Sequence, residues 1–332
     1  MQRLLTAVVF TLLAMRAAGA AEFVGGLECP TETREIAGTI CHDGDLARLN
    51  ADLREAYRGA LPAIPEHDRD MVRQAQQEWL DALKTCLNFN KDEESECLNG
   101  KMKDQIALLT GAPLSGPLRG FSLKPFEQKL DDRTVLRGLY LRLDNPTQAG
   151  EIEYNRIVDA LIAGASNGKK TVGEPPTSDE QWVFAGLKLT YASPRLISLK
   201  LESGYGCGGC GDEAWRDENF NIDMATGKLI EIGEIFPVAA IAQMAIQCGY
   251  QIVREKLDRR GLSAESQLDD LDWIATGVAD VITAQRNWAI GDTEVEISFP
   301  VNTVGSYEEM YYECHLPTVE VRSLAREGGP LR

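Results

Sequence analysis

The chain has 332 residues, a formal net charge of −17 and eight cysteines. So acidic a chain excludes a nucleic-acid-binding protein, which needs an excess of Lys and Arg on one face, and an anionic membrane surface would repel it. The length allows two modest domains with their own apolar cores.

Residues 1–20 have the pattern of a secretory signal peptide. Arg3 supplies the positive start, and the segment from Leu4 to Met15 is largely apolar. Small residues, Ala18-Gly19-Ala20, follow at the expected cleavage site. The apolar run of about 12 residues is shorter than the about 20 residues that cross a bilayer. We therefore expect a mature protein in the periplasm, or secreted, with no membrane anchor.

The cysteines form two groups of four, which are separated by 109 residues. They are Cys29, Cys41, Cys86 and Cys97 in the first group, and Cys207, Cys210, Cys248 and Cys314 in the second. An even number of cysteines in an exported chain predicts a disulfide framework. The gap between the groups predicts two domains, residues 22–112 and residues 118–332.

The first domain is predicted to be a small all-α bundle. Thr31 or Thr33 can cap a short helix, and a second helix begins near Asp43–Asp45. A third helix runs from about Asp68 to Cys86, and a fourth begins near Cys97. Apolar residues recur at helical spacing in the last three helices: Leu46, Leu49, Leu53 and Tyr57; Val72, Ala75, Trp79, Leu83 and Cys86; Leu98, Met102, Ile106 and Leu109.

The polar segment Asn88–Glu96 is interpreted as a hairpin between two antiparallel helices. Its ends bring Cys86 and Cys97 together, and Cys29 then pairs with Cys41 by elimination. His42 and His67 stand near acidic residues but lack the spacing of metal ligands. No metal and no cofactor are expected.

This pattern resembles the N-terminal domain of the lysozyme inhibitor LprI family over about 80 residues. The residues that carry the resemblance are Cys29, Ile40-Cys41, Leu46, Leu49, Tyr57, Gln76-x-x-Trp79-Leu80, Cys86, Cys97-Leu98, Ile106 and Leu109. The chain departs from the family at Leu83, where Arg is usual, and at Met102 and Gln105, where Tyr and Arg are usual. These departures remove polar groups, so the scaffold can be kept while inhibition is lost.

The second domain is predicted to be α+β with an antiparallel sheet, because strands alternate with a few helices and no βαβ repeat occurs. The predicted strands are Val135–Leu143, Trp182–Tyr191, Leu196–Ser203, Trp215–Met224, Val295–Phe299 and Cys314–Val321. The predicted helices are Tyr154–Ala163 and Val238–Arg260. Loops are predicted at Ser166–Ser178 and Gly204–Asp212. The fold class is therefore a disulfide-bonded helical bundle followed by an α+β domain.

A series of short motifs in this region is similar to the RsiV/PdaC-type envelope domain. They are Asn155-Arg156-Ile157-Val158, Leu196-Ile197-Ser198-Leu199, Tyr205-x-Cys207-Gly208-Gly209, Asn219-Phe220-Asn221, Thr226-Gly227-Lys228, Val304-Gly305-Ser306-Tyr307 and Leu316-Pro317. In RsiV this domain binds lysozyme, so the resemblance implies lysozyme binding. The loop here reads Cys207-Gly208-Gly209-Cys210-Gly211 and lacks the family's Ala-His.

No catalytic centre is predicted, and we expect the protein not to be an enzyme. The segment from Gly204 to Gly209 matches Gly-x-Gly-x-x-Gly, but acidic residues and a strand follow where a dinucleotide needs a helix N-terminus. Cys207-x-x-Cys210 lies in a Gly-rich loop, whereas redox pairs begin a helix. These two cysteines are expected in structural disulfides, either with each other or with Cys248 and Cys314.

The predicted function is lysozyme binding, or lysozyme inhibition, by contact with a cationic protein such as a c-type lysozyme or a related muramidase. The candidate contact residues are Tyr205, Gly208, Gly209, Trp215, Tyr307, Glu308, Glu309, Tyr311 and Tyr312. Packing at a strand edge is the alternative role for the tyrosines. The alternative functions are a non-inhibitory envelope adaptor, a peptidoglycan-associated structural protein and a thiol oxidoreductase.

Overall fold

The structure is a computed structural model. It describes residues 23–29, 34, 36–88, 91–113, 116–118, 120–129, 135–165, 181–207, 214–260, 271–300, 302–304 and 312–332. The predicted signal peptide, the helix capped by Thr31 or Thr33, and the loop Ser166–Ser178 lie outside these residues or largely outside them. All strand pairs within them are antiparallel, and the α+β class is confirmed.

The amino-terminal part is helical. It contains α1 (Ala37–His42), α2 (Gly44–Ala60), α3 (Arg69–Ala82) and α4 (Lys91–Leu109), with a 3₁₀ turn at Leu83–Asn88 between α3 and α4. The Asp43 side chain caps α2 by accepting hydrogen bonds from the backbone N–H groups of Asp45 and Leu46. The start predicted for α2 is therefore confirmed.

The predicted hairpin Asn88–Glu96 is wrong, because α4 already begins at Lys91. Asp92, Glu93 and Glu94 occupy the first turn of this helix. Carboxylates are stabilised there by the positive end of the helix dipole, so an acidic segment that looks like a loop can begin a helix. The sequence pairing of cysteines nevertheless agrees with the structure, where Cys29 is bonded to Cys41 and Cys86 to Cys97.

The rest of the described chain contains a β-hairpin, two further sheets and several helices. Strands β1 (Phe121–Lys129) and β2 (Val135–Leu143) form the hairpin, and α5 (Ala149–Ala165) follows it. Strands β3 (Gln181–Ala192), β4 (Leu196–Cys207) and β5 (Ala214–Asp223) form the second sheet in that order. The sequence did not predict β1, which carries Pro125 and pairs only with β2 among the described strands.

The carboxyl-terminal part surrounds the third sheet. Strands β6 (Trp288–Ile290), β7 (Glu294–Phe299) and β8 (Tyr312–Pro317) pair in chain order. The helices here are α6 (Ile232–Ile235), α7 (Val238–Arg260), α8 (Leu271–Ile282) and α9 (Thr318–Leu324). Helix α7 has the predicted bounds. The predicted strand Cys314–Val321 is wrong in its second half, since α9 begins at Thr318, directly after Pro317.

The predicted loop Gly204–Asp212 is also wrong at its start, because β4 continues to Cys207. Gly204 pairs with Phe184 on one side and with Trp215 on the other. Pairing on both sides holds Gly204 in a strand although glycine has little intrinsic preference for one, and Gly206 pairs with Trp182 of β3.

The helical core is completed by the hairpin. Leu139 of β2 is buried in the same apolar cluster as Leu53 and Leu80, and Leu123 of β1 packs against that cluster. The two parts of the chain thus meet at a shared surface, while the domain bounds 22–112 and 118–332 stay predictions.

Candidate functional site

The β4–β5 hairpin brings two of the predicted contact residues to one end of a sheet. Tyr205 is opposite Ala214, and Gly204 is opposite Trp215, so Tyr205 and Trp215 are one register position apart and on opposite faces of the sheet. Trp182 of β3 pairs with Gly206 at the same end. We call Trp182, Tyr205 and Trp215 the aromatic end of the sheet. Trp182 was not among the predicted contact residues, because the strand that pairs with it was predicted to end at Ser203, before Gly206.

The other predicted contact residues are placed differently. Gly208, Gly209, Tyr307, Glu308, Glu309 and Tyr311 lie outside the described residues, so their role stays a prediction. Tyr312 was predicted to be an exposed contact group, and this is wrong: its side chain is only 2% exposed. Tyr312, Cys314 and Leu316 alternate along β8 and all point into the core.

Tyr312 instead takes part in a buried cation–π contact. The Nζ of Lys256 on α7 lies 5.8 Å from the centre of the Tyr312 ring and 5.4 Å from the centre of the Trp273 ring on α8. Such contacts stabilise a desolvated ammonium group. The tyrosine therefore helps to hold α7 and α8 against β8.

Disulfide bonds close both halves of the described chain. Besides the two in the helical part, Cys248 of α7 is bonded to Cys314 of β8, which is one of the pairings that the sequence left open. Cys210 lies outside the described residues, so the expected role of Cys207 and Cys210 stays a prediction.

No described group of three or more His, Cys, Asp or Glu side chains could hold a metal ion. Within the described part of the chain, no helix is long and apolar enough to cross a membrane.

A network of ion pairs runs across the second sheet. The Nζ of Lys188 on β3 lies 2.6 Å from an Asp104 carboxylate oxygen on α4 and 2.8 Å from one of Glu202 on β4. Burial opposes the charge of Lys188, but Glu202 and Asp104 outweigh it and raise the pKa of the lysine. Burial likewise opposes the charge of Glu202, yet Lys188 and Lys200 lower the pKa of that carboxyl. Lys188 and Glu202 thus stay charged at neutral pH.

Lys200 extends this network to the third sheet. Its side chain is only 7% exposed, and its Nζ lies 2.6 Å from Glu296, 3.7 Å from Glu202 and 3.9 Å from Glu313. Lys200 is nearly buried while these carboxylates keep part of their exposure to water, so the lysine depends on its acidic partners to hold its charge.

His315 ends the network at the surface. Its Nδ1 lies 2.6 Å from an oxygen of Glu294, and its Nε2 lies 3.5 Å from one of Glu313. The hydrogen bond with Glu313 and the nearby charge of Glu294 outweigh the effect of burial and raise the pKa of His315 to about 9. The imidazole is therefore a cation at neutral pH. The sequence did not indicate this group of charges, because its members come from three distant segments.

A cavity of about 630 Å³ lies where the helical part meets the strands. Its walls come from α3, the turn Leu83–Asn88, α4 and strands β2, β3 and β4. Its apolar lining includes Trp79, Leu87, Leu108, Leu136, Leu139, Leu141, Leu187 and Leu189. Trp79 was predicted to be a core anchor, and it does pack against the helical core while it also lines the cavity.

The positions at which the chain departs from the LprI pattern lie beside this cavity. Leu83 and Gln105 line its wall, and Met102 is fully buried in the helical core. Gln105 donates a hydrogen bond to Gln76 Oε1 (2.6 Å), and Gln76 donates one to the carbonyl of Gly25 (2.7 Å). These side chains therefore serve packing and the cavity wall.

Among known proteins, the chain matches solved structures only. No protein-family model and no curated protein matches the chain. A crystal structure of a DUF3298 family member from Bacteroides fragilis is similar, with 9% identity, a TM-score of 0.40, and coverage of 62% of this chain and 94% of that chain. A DUF3298 family protein from Pseudomonas aeruginosa has 14% identity, a TM-score of 0.40, and coverage of 64% and 94%. A likeness of this size carries no argument about function, and the LprI and RsiV resemblances gain no support from it.

Proposed function

We propose that this chain is an exported protein that binds, and inhibits, a cationic protein partner of the lysozyme class through the aromatic end of its second sheet. The observation that carries the proposal is the register of β3, β4 and β5, which places Trp182 and Trp215 on one face of the sheet and Tyr205 on the other face at the same end. Tyr and Trp are enriched among the residues that contribute most to protein–protein binding. The proposed activity has no catalytic step.

Charge supports a cationic partner. The net charge of −17 covers the whole sequence and becomes −19 if residues 1–20, which contain Arg3 and Arg16, are removed. An acidic protein attracts a basic one before contact, which raises the rate of association. Attraction of this kind is weakened by salt, so specific contacts must provide the affinity that remains at physiological ionic strength.

The disulfide bonds support export. Three of them close loops within the described residues. Disulfides form and persist in oxidising compartments, which include the bacterial periplasm, and they are rare in the cytosol. The signal-peptide pattern of residues 1–20 leads to the same compartment.

A non-inhibitory envelope adaptor, or a peptidoglycan-associated structural protein, is the second candidate, and one observation favours it. Leu83 and Met102, which replace polar residues of the LprI pattern, are 1% and 0% exposed. A partner cannot touch them in the folded chain. If inhibition in that family depends on polar residues at these positions, the helical part of this protein keeps the fold and lacks the inhibitory contacts.

The test measures binding of the oxidised mature protein to a c-type lysozyme at physiological salt, with cell-wall lysis followed in parallel. Cytochrome c serves as a control because it is also small and strongly basic. We expect Tyr205→Ser and Trp215→Ser each to weaken lysozyme binding about tenfold or more. The matched control is Tyr250→Ser on α7, since Tyr250 is 74% exposed and lies elsewhere.

The possible outcomes separate the candidates. Binding with inhibition that both sheet-end variants reduce supports the proposal. Binding without inhibition supports the adaptor. Equal binding to cytochrome c, or no binding at physiological salt, rejects the lysozyme partner.

A further inference from the structure

The outer surface of α7 exposes a large amount of apolar side chain. Among the residues that the structure describes, the four most exposed large apolar side chains are Val238, Ile246 and Tyr250 of α7 and Val319 of α9, which are between 62% and 82% exposed. Helices α7 and α9 border each other, since both line a shallow pocket of about 140 Å³. Contiguous exposed apolar surface of this kind marks a site of contact with another molecule.

The same stretch of α7 carries no charge. No Asp, Glu, Lys or Arg occurs from Ile235 to Val253, although 26% of the chain is charged and about five such residues would be expected in these 19 positions. A cationic protein is attracted by carboxylates, and this part of α7 offers none. The surface therefore does not suit the lysozyme-type partner, and a different occupant is required.

The exposed residues of this surface repeat at intervals of four along α7. They form one row: Val238, Ala242, Ile246 and Tyr250. Rows with this spacing are the ridges by which helices pack against each other. At 1.5 Å per residue the row is about 18 Å long. Gln243 and Gln247 border it on the side of α9, so an apolar centre has a polar and uncharged rim, as protein interfaces commonly have.

The sizes along this row fit a second copy of the row that runs in the opposite direction. If two copies of α7 cross antiparallel at Ile246, Tyr250 of each copy lies against Ala242 of the other, so a large side chain meets a small one. Two-fold symmetry forms this contact twice, as in most homodimers. Two chains with a net charge of −17 repel each other, and an uncharged surface is where they can approach at the least electrostatic cost.

The available area sets the strength of such a contact. The four exposed apolar side chains together offer roughly 400 Å², and the alanines and glutamines between them add to this area. A stable complex buries about 800 Å² on each partner, and transient ones bury less. The surface is therefore large enough for a weak, reversible dimer and too small for a permanent one.

We propose that the protein forms a symmetric dimer through the uncharged row of α7, with α9 at the edge of the contact and a dissociation constant on the order of 10–100 µM. Burial of Ile246 and Tyr250 supplies the apolar part of the affinity. The dimer does not rest on the proposed lysozyme binding, whose contact lies on the second sheet.

The first experiment uses the unmodified, oxidised mature protein. Sedimentation equilibrium from about 2 µM to about 300 µM should show conversion of monomer to dimer. Because salt screens the repulsion between two acidic chains and leaves the apolar contact in place, we expect the dimer to be about threefold tighter in about 500 mM than in about 50 mM sodium chloride. A monomer at every concentration, or a dimer that salt weakens, overturns the proposal.

The second experiment uses matched variants of two exposed isoleucines. Ile246→Glu places two facing carboxylates at the centre of the contact, and we expect it to weaken the dimer about tenfold or more. Ile152→Glu on α5, where the side chain is 54% exposed, should change it less than about twofold. Ile246→Glu should also bind lysozyme as the unmodified chain does, so failure of the dimer and failure of the proposed function are separate results. Unchanged dimerisation of Ile246→Glu overturns the assignment to α7.

The third experiment tests the antiparallel arrangement. Ala242→Tyr sets two large side chains against each other, and Tyr250→Ala sets two small ones, so we expect each to weaken the dimer about fivefold or more. The double variant exchanges the large and the small side chain and restores the pair, so it should dimerise more tightly than either single variant. A double variant that is no tighter than the weaker single variant overturns the antiparallel contact. Circular dichroism and the count of free thiols verify the fold of each variant.

Discussion

The helical part and the carboxyl-terminal part are both closed by disulfides, but they are held together differently. The helical disulfides link cysteines only 12 and 11 residues apart, and its buried polar contacts are amide hydrogen bonds such as that between Gln105 and Gln76. The carboxyl-terminal disulfide spans 66 residues, and Lys200 joins the second and third sheets through ion pairs. The first part is thus stabilised by local links, and the second depends on contacts between distant segments.

The largest expected effect comes from removing the long-range disulfide. In the chain-entropy account, a disulfide that closes a longer loop stabilises the fold more. For the 66-residue separation of Cys248 and Cys314, the double change to Ala should lower the free energy of unfolding by about 4 kcal/mol. For the 11-residue separation of Cys86 and Cys97, the same change should cost about 3 kcal/mol. Denaturant unfolding of both variants measures the difference.

Equal losses in the two disulfide variants would show that loop length does not govern the contrast between the parts. A larger loss for the Cys86–Cys97 variant would reverse the comparison and make the helical part the more dependent on its cross-link.

The next effect concerns the buried ion network. Lys200→Met leaves Glu296 and Glu202 without their nearest shared cation, and we expect a loss of about 2–3 kcal/mol. This is below the cost for a fully buried pair because Glu296 and Glu202 keep part of their exposure to water. The control Arg73→Met breaks a pair that is equally short (2.6 Å) but exposed on α3, and it should cost less than about 0.5 kcal/mol.

A double variant sharpens this test. Adding Glu296→Gln to Lys200→Met removes the carboxylate that the first change left unpaired, so part of the stability should return. If Lys200→Met costs no more than Arg73→Met in denaturant unfolding, the network does not hold the second and third sheets together.

The smallest expected effect is a dependence on pH. The pKa of His315 is raised from about 6.5 in an unfolded chain to about 9 in the fold by Glu313 and Glu294. Because the folded-state pKa is the higher one, its contribution is complete below about pH 6.5 and is lost as the pH rises through about 9. The side chain is 43% exposed, so screening by solvent limits the loss to about 1 kcal/mol.

The measurement compares the stability of the unmodified chain and of His315→Gln between pH 6 and pH 9.5. The difference between them should shrink as the pH rises. His67→Gln is the control, since His67 is exposed and contacts only its neighbour Asp68 among the ion pairs described. A difference that does not change with pH would rule out a protonated His315 as a link between β7 and β8.

Regular spacing explains which parts of the fold were predictable. The apolar residues that recur along α2, α3 and α7 predicted helices that the structure contains. Strand β2 has the predicted bounds because its residues alternate. The errors occurred where context overrides local preference: the acidic start of α4, the glycines at the end of β4, and the change from strand to helix at Pro317.

The candidate sites were less predictable than the elements. Tyr205 and Trp215 could be proposed as contact residues from their types, but only the register of the strands shows that they lie at the same end of the sheet, on opposite faces. Tyr312 was predicted to be exposed as part of a loop from Gly305 to Tyr312, but it begins β8 at a position that points into the core. The cavity was not foreseen at all, since its lining is drawn from six separate elements.

The sequence by itself determined the acidic character, the two groups of cysteines, the pairing within the first group and the α+β class, because these follow from composition and from spacing along one segment. The tertiary structure alone decided that Cys248 meets Cys314, that Lys200 links two sheets, and that Trp79 lines a cavity between helices and strands. Burial and charge pairing depend on which distant segments come into contact, and the local order of residues along the chain does not determine those contacts.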